Sequence, residues 1–496
     1  MPCTTILIGK NASYDGSTIV ARNEDSANGE FIPKRFTVVR PNDQPSRYRS
    51  TLSHLEIDLP EDPMRYTSLP NALLDEGLWA AAGVNEANVA MSATETITSN
   101  ERVLAADPLV PYRAAVGNPR EGDFSPEQAG GIGEEDMVTL VLPYVRTARE
   151  GVHRLGSLLE RYGTYEMNGV AIHDVNEIWW LETIGGHHWM ARRVPDDCYV
   201  TMPNQLGIDR FDFADAEGTG REYLCSADLR SFVRDNHLDL ALRDDGANDD
   251  VIDPRTTFGS SSDADRVYNT PRAWAMQRHL NPHDERWDGP DATHCPESDD
   301  IPWCRRPERK LTMEDVKYVL SLHYQGTPYE PYGQAGSPDL RGIYRPIGIN
   351  RTSQLSATQL RGDRPESLCA IQWIAFGSNP FNAFVPLFAQ VDEAPEYFSH
   401  TDKTVSTESF YWTCRLIGAL ADAHFGRCIA HIERYQEAVG AQSGTLLLEA
   451  ERGMTTPAEA NARIAAMVRT ETERVLDHVL YEASMGMRNG FARSDN

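Results

Sequence analysis

The chain has 496 residues, 40% hydrophobic and 24% charged, a composition that supports a sizeable buried core. Lysine and arginine number 47 against 74 aspartates and glutamates, and the formal charge of −27 argues against nucleic acid and anionic membranes as partners. No run reaches the roughly 20 apolar residues of a bilayer span, and Ile6, Leu7 and Ile8 lack the basic flank of a signal peptide. Eight scattered cysteines suit reduced thiols and a cytoplasmic location.

Residues 4–9 (TTILIG) are β-branched and apolar and read as a strand. Turn chemistry follows at 10–17, with Asp15-Gly16 as its strongest signal, and 18–21 (TIVA) reads as the returning strand. Antiparallel geometry then sets Cys3 opposite a residue between 23 and 28, which brings Arg22 and Asp25 back beside it. Prolines punctuate 31–70, so loops and short edge strands are expected there. Residues 77–98 read as a strand pair rich in small residues, and helical spacing runs from Glu134 to about Tyr162.

Residues 168–203 read as an antiparallel meander within one large sheet, and 221–242 look helical. Asp244 to Asp253 is acidic but lacks calcium-loop spacing, so it reads as a solvated turn. An irregular insertion spans 281–310. A Thr-x-x-Asp capping pattern opens a helix at 312–323. Residues 366–378 and 382–391 are buried strands, and from about Ser409 to Ser484 helix formers dominate. The division expected is a catalytic domain at 3–400 and a helical segment at 401–496, the latter a possible surface for a homo-oligomer.

Cys3 is the first candidate residue. If processing exposes it, its α-amine, with a pKa near 7.7–8.0, becomes a base beside its own thiol. Processing must remove Pro2 as well as Met1. Arg22 supplies positive charge that favours the thiolate. Asp25 is expected to accept a hydrogen bond from the α-amine. His187 and His188 read as consecutive strand residues whose side chains face opposite ways and cannot share a ligand. His294, Cys295 and Cys304 fit no zinc spacing, and no metal or other cofactor is expected.

CTTILIGKNASYDGSTIVARNED at 3–25 resembles the N-terminal signature of the dipeptidase A family of N-terminal-nucleophile (Ntn) hydrolases, related to secernins and more distantly to penicillin V acylase and bile-salt hydrolase. AAGVNEANVAMSATET at 81–96, EIWWLETIGGHHWMARRVPDDCYVTMPNQLGI at 177–208, YNTPRAW at 268–274, HYQGTPYEP at 323–331 and WIAFGSNPFNAFVPLF at 373–388 are similar to further blocks of that family. The resemblance implies an α+β fold, a four-layer αββα sandwich with a helical C-terminal extension, and metal-free hydrolysis of dipeptides through a thioester acyl-enzyme. Carried onto this sequence, it implies Cys3 as nucleophile, Arg22 as thiol neighbour, Asp25 as amine partner and Asn204 as an oxyanion donor. Thr94 and Glu95 stand where the acylase relatives have an asparagine and are expected to contact substrate, Glu95 through its ammonium. Arg272 is expected to meet the substrate's terminal carboxylate. The competing readings are an acylase of non-peptide amides and a secernin-like regulatory protein without turnover.

Overall fold

The computed structural model of the chain describes residues 3–27, 29–75, 77–120, 122–242 and 249–487. Met1, Pro2 and the first part of the acidic turn, 244–248, lie outside the described residues. Two antiparallel sheets dominate. The seven-stranded sheet runs in the order Cys304–Arg305, Tyr199–Met202, Cys3–Ile8, Thr18–Asp25, Thr352–Leu360, Ala370–Phe376, Val385–Phe388. The six-stranded sheet runs Tyr223–Cys225, His188–Arg193, Ile178–Ile184, Asn168–His173, Ala90–Thr96, Ala82–Val84.

The meander expected at 168–203 is therefore split between sheets. Tyr199–Met202 pairs with Cys3–Ile8 rather than with His188–Arg193. The turn at Pro195 and Asp196 carries the chain across, and Gly9 allows it. A Cβ on Gly9 would stand 2.5 Å from the carbonyl oxygens of both residues. Asn11 N donates to Asp196 O at 2.7 Å and Gly9 N to Cys198 O at 2.9 Å.

Two other expectations change. At 221–242 only Leu229–Asp235 is helical, because Tyr223–Cys225 pairs with Met190–Arg192 and buries Tyr223 and Leu224 at the sheet edge. The helical pattern of 134–162 breaks at Pro143 into Glu134–Val141 and Ala148–Tyr162, the second opened by the Thr147 side chain accepting from Glu150 N. The expected capping box is present where Thr312 and Asp315 open Met313–Val319.

Side-chain alternation assigns each strand face a partner. Ile6, Ile8, Ile19, Ala21, Leu355 and Ala357 pack with Trp274, Met276, Val316 and Val319 of the helices Thr270–Leu280 and Met313–Val319. On the other side Leu7, Val20 and Val200 meet Ala171, Trp180 and Met190 of the six-stranded sheet. That sheet's far face, with Met91, Val170, Ile172 and Leu181, packs on Val138, Val152 and Leu155.

The helices Phe410–Asp422, Phe425–Glu451 and Pro457–Met485 close the far end of the seven-stranded sheet. Ile432, Tyr435 and Val439 recur at helical spacing, as do Ile464, Val468, Val475 and Val479, and all share a cluster with Ile374, Val385 and Leu387. Asn461 donates to Phe388 O at 2.9 Å and accepts from Phe388 N at 2.8 Å, satisfying both backbone groups of that edge residue. Among the described residues no helix is long and apolar enough to cross a membrane.

Candidate active site

Cys3 pairs with Glu24 in the hairpin, and Thr5 with Arg22. Directly opposed residues share a face, so all four side chains point toward the six-stranded sheet. The space there is polar and closed: Cys3 is 0% exposed, and Thr5, Arg22 and Glu24 are 1% exposed.

Arg22 is the hub. Its Nη1 donates to Cys3 Sγ at 3.1 Å, to Thr94 O at 2.7 Å and to Glu134 Oε1 at 3.3 Å. Nη2 donates to Ala93 O at 2.7 Å, Ala81 O at 3.3 Å and Glu24 Oε2 at 3.4 Å, and Nε to Ser92 Oγ at 3.1 Å. Burial works against its charge, but Cys3, Glu134 and Glu24 outweigh this and raise its pKa. Burial pushes the Cys3 thiol up, Arg22 pulls it down, and Glu95 and Glu134 push it up again; the net direction is up.

Asn204, at the turn after Tyr199–Met202, meets the backbone nitrogen of Cys3. Its Oδ1 accepts from Cys3 N at 3.1 Å and from Arg272 Nη2 at 2.8 Å, while Nδ2 donates to Thr96 O at 2.9 Å. One Nδ2 hydrogen is left over from that bond.

Asp25 lies one residue beyond Glu24, so alternation turns it to the opposite face of the strand, away from the thiol. It accepts from Thr352 Oγ1 at 2.6 Å and pairs with Arg345. The hydrogen bond expected from the Cys3 nitrogen to Asp25 goes instead to Asn204.

Arg272 also differs from expectation. Nε donates to Tyr268 O, Nη1 to Cys3 O and to Thr4 Oγ1, and Nη2 to Asn204 Oδ1 and Asn269 Oδ1. These use all five donors of a guanidinium, leaving none for a substrate carboxylate. Arg272 holds Cys3 and Asn204 in place. Burial and then Arg345 lower its pKa to about 10.

Thr94 and Glu95 lie across from Cys3 and Thr5 on Ala90–Thr96, and both are 0% exposed. Glu95 Oε2 accepts from Thr5 Oγ1 at 2.7 Å. Burial raises the Glu95 carboxyl to about 8 against the pull of Arg272, Thr5 and Arg22.

Sequence reasoning missed several members of this constellation. Glu24 faces Cys3 and is held by Arg22 and Lys34, the latter 0% exposed. Burial works against its charge, but Lys34 and Arg22 prevail and lower its pKa. Hairpin parity was a sufficient signal for Glu24; Lys34, after Pro33 in a loop, carried none. Glu134 opens a helix beneath Arg22, and its signal was the acidic run Glu134-Glu135-Asp136 ahead of apolar residues. Arg345 sits in an aperiodic segment and stacks with Arg272 on Tyr268, at 4.9 and 5.1 Å from the ring.

The histidine pair needs correction. His187 belongs to the turn before the strand His188–Arg193, so alternation does not separate the two rings. Their Nδ1 atoms meet the two oxygens of Asp107 at 2.8 and 2.7 Å. His294 Nδ1 sits on Glu285 at 2.8 Å, and no group of three or more potential metal ligands occurs among the described residues.

A buried thiol held by a guanidinium, beside an amide with a spare donor, is equipment for nucleophilic hydrolysis. Residues 2–438 match the model of peptidase family C69, and the chain belongs to that family. It is a peptidase. It is 56% identical to a protein of Bifidobacterium longum (strain NCC 2705) named "Dipeptidase", with 100% of each chain covered. It is 54% identical to a "Probable dipeptidase A" of Streptococcus pyogenes serotype M3 (strain SSI-1), again over 100% of each. A "Dipeptidase A" of Lactobacillus helveticus is 43% identical over 85% of this chain and 82% of its own.

Proposed function

We propose that this chain is a dipeptidase and that Cys3, once freed of Met1 and Pro2, is its N-terminal nucleophile. The observation that carries the mechanism is the 3.1 Å contact between Arg22 Nη1 and Cys3 Sγ in a closed, charged pocket. The full-length relatives named as dipeptidases support the reaction. The two sheets with helices on their outer faces fit the four-layer αββα sandwich of Ntn hydrolases.

Removal of Met1 and Pro2 turns the Cys3 amide into an amine whose ordinary pKa, near 7.7–8.0, suits a general base at neutral pH. The amine takes the Sγ proton, and Arg22 offsets the charge left on sulfur. The thiolate attacks the peptide carbonyl carbon, and the carbonyl π pair moves to oxygen. The spare Nδ2 hydrogen of Asn204 faces that oxyanion. Collapse breaks the C–N bond; the ammonium of Cys3 returns its proton to the departing amine, and the second amino acid leaves. Water, deprotonated by the same amine, hydrolyses the thioester and frees the first. Arg272 and Asn204 position the Cys3 backbone, and the Arg345–Asp25–Thr352 group fixes the end of the strand behind it.

The test joins chemistry to processing. Intact mass and N-terminal sequencing are expected to find Cys3 first in the active chain, and Cys3→Ala is expected to abolish hydrolysis of a dipeptide panel. An active chain that retains Met1-Pro2 refutes the amine mechanism; turnover of acyl amides in preference to dipeptides refutes the assignment of substrate.

A further inference from the structure

We propose that Glu95 reads the free α-ammonium of the substrate and so restricts the enzyme to peptides with an unblocked N-terminus. The inference rests on Cys3 being the nucleophile, because that fixes where the scissile carbonyl sits.

Three observations converge. Glu95 is fully buried, and while Oε2 is held by Thr5 Oγ1 at 2.7 Å, Oε1 has no hydrogen-bond partner. An unpaired buried carboxyl oxygen is costly and rare and marks a place where a partner is missing; burial holds this carboxyl up, and a cation on Oε1 would favour its charged form.

None of the buried cations around it donates to Oε1. Arg22 and Arg272 act on Glu95 only through their charge. Arg22 spends its donors on Ser92, Cys3, Thr94, Glu134, Glu24, Ala81 and Ala93, and Arg272 spends its donors on Tyr268, Cys3, Thr4, Asn204 and Asn269. Arg345 gives donors to Asp25 and, at 3.2 Å, to Pro346 O, and its Nε, which has no partner, reaches Glu95 only through charge.

The position is also right. The nitrogen that touches Cys3 Sγ also donates to Thr94 O at 2.7 Å, so Glu95 is the residue next to the carbonyl that shares a donor with the thiol. From the other side, Thr5 is two residues from Cys3 on the same strand face. In a dipeptide the α-ammonium is two bonds from the carbonyl carbon that sulfur attacks, so it falls in this same neighbourhood. Thr94 Oγ1 is likewise buried without a partner, and Glu134 Oε1 lies on Thr94 N at 3.3 Å. An ammonium brings three donors and no acceptor, which suits the acceptor oxygen left open on Glu95. A substrate without that ammonium leaves Oε1 unpaired and is rejected; sites built around a substrate's hydrogen-bonding group discriminate by up to about 10⁴–10⁵-fold.

The experiment compares alanyl-alanine with propionyl-alanine, which keeps the skeleton and lacks the amine, on processed wild type, Glu95→Gln and Glu95→Asp. Occupancy is read separately from turnover, as protection of Cys3 from iodoacetamide by alaninamide or by propionamide. Wild type is expected to favour alanyl-alanine by more than about 100-fold in kcat/KM and to be protected by alaninamide only. Glu95→Gln is expected to bring both preferences toward one, mostly through KM, and Glu95→Asp to keep part of them. Equal losses on both substrates in Glu95→Gln, protection by alaninamide that survives Glu95→Gln, or a wild type indifferent to the amine overturns the proposal. Selective protection by alaninamide without any dipeptide turnover leaves the ammonium site standing and removes the dipeptidase reading instead.

Discussion

The two ends of the seven-stranded sheet solve opposite problems. At the hairpin end the space between the sheets holds Cys3, Arg22, Glu24, Lys34, Glu95 and Glu134, nearly all fully buried. At the far end the same sheet meets three helices through Ile374, Val385, Leu387, Ile432, Ile464 and Val479, an apolar cluster at ordinary core burial. Apolar burial gives stability without needing a precise partner. Buried charge gives stability only while every partner is in place. The helical end can therefore lose a methyl group and still leave the proposed site alone, whereas at the hairpin end the proposed chemistry is tied to folding.

Two substitutions test this contrast, beginning with the larger effect. Arg22→Met removes the shared partner of Cys3, Glu24 and Glu134. It is expected to cost about 3–5 kcal/mol of stability, as for a broken buried ion pair, and to lower kcat/KM of the surviving folded protein by at least about 100-fold. Urea unfolding and dipeptide kinetics read the two together; loss of activity with full stability would break the proposed coupling. Ile464→Ala, at the helical end, is expected to cost about 2–5 kcal/mol with kcat/KM unchanged at temperatures where the protein stays folded. A matching fall in activity would show that the two ends are not independent.

The smallest effect belongs to neither end. Burial would raise the Asp107 carboxyl, but hydrogen bonds from His188 and His187 outweigh it and hold its pKa to about 2, below the ordinary 3.8. A carboxyl lowered in the folded state contributes stability above its unfolded pKa and loses it as pH falls through the folded value. That contribution is thus present above about pH 4 and gone below about pH 2. Asp107→Asn is expected to flatten the acid limb of a stability–pH curve across that window by on the order of 1 kcal/mol after solvent screening, with activity at neutral pH little changed.

The legibility of this site followed the range of each signal. The hairpin was readable because Asp15-Gly16 fixes a turn and alternation then fixes the register; Cys3 does pair with Glu24, inside the expected span. Helix starts such as Thr312 were readable for the same local reason. Asn204 came only through family resemblance, since nothing near it in sequence says that it meets Cys3, 201 residues away. The strand Thr352–Leu360 went unread although it lies at the centre of the sheet between Thr18–Asp25 and Ala370–Phe376. Its alternation is there in TSQLSATQL, but the polar set, Gln354, Ser356 and Thr358, faces a polar interior and mimics a surface strand. The division into two sheets also escaped, because it depends on a close approach between Gly9 and the Pro195-Asp196 turn.

The Asn461 side chain has a role that reaches beyond a single molecule. By bonding to both the N–H and the C=O of Phe388 it acts as one further peptide unit on the outermost strand. An open edge of that kind, flanked by Val385 and Leu387, is a template for a neighbouring chain. The last helix therefore works as a terminator as well as a buttress, holding at Phe388 the place that a further strand's peptide would take.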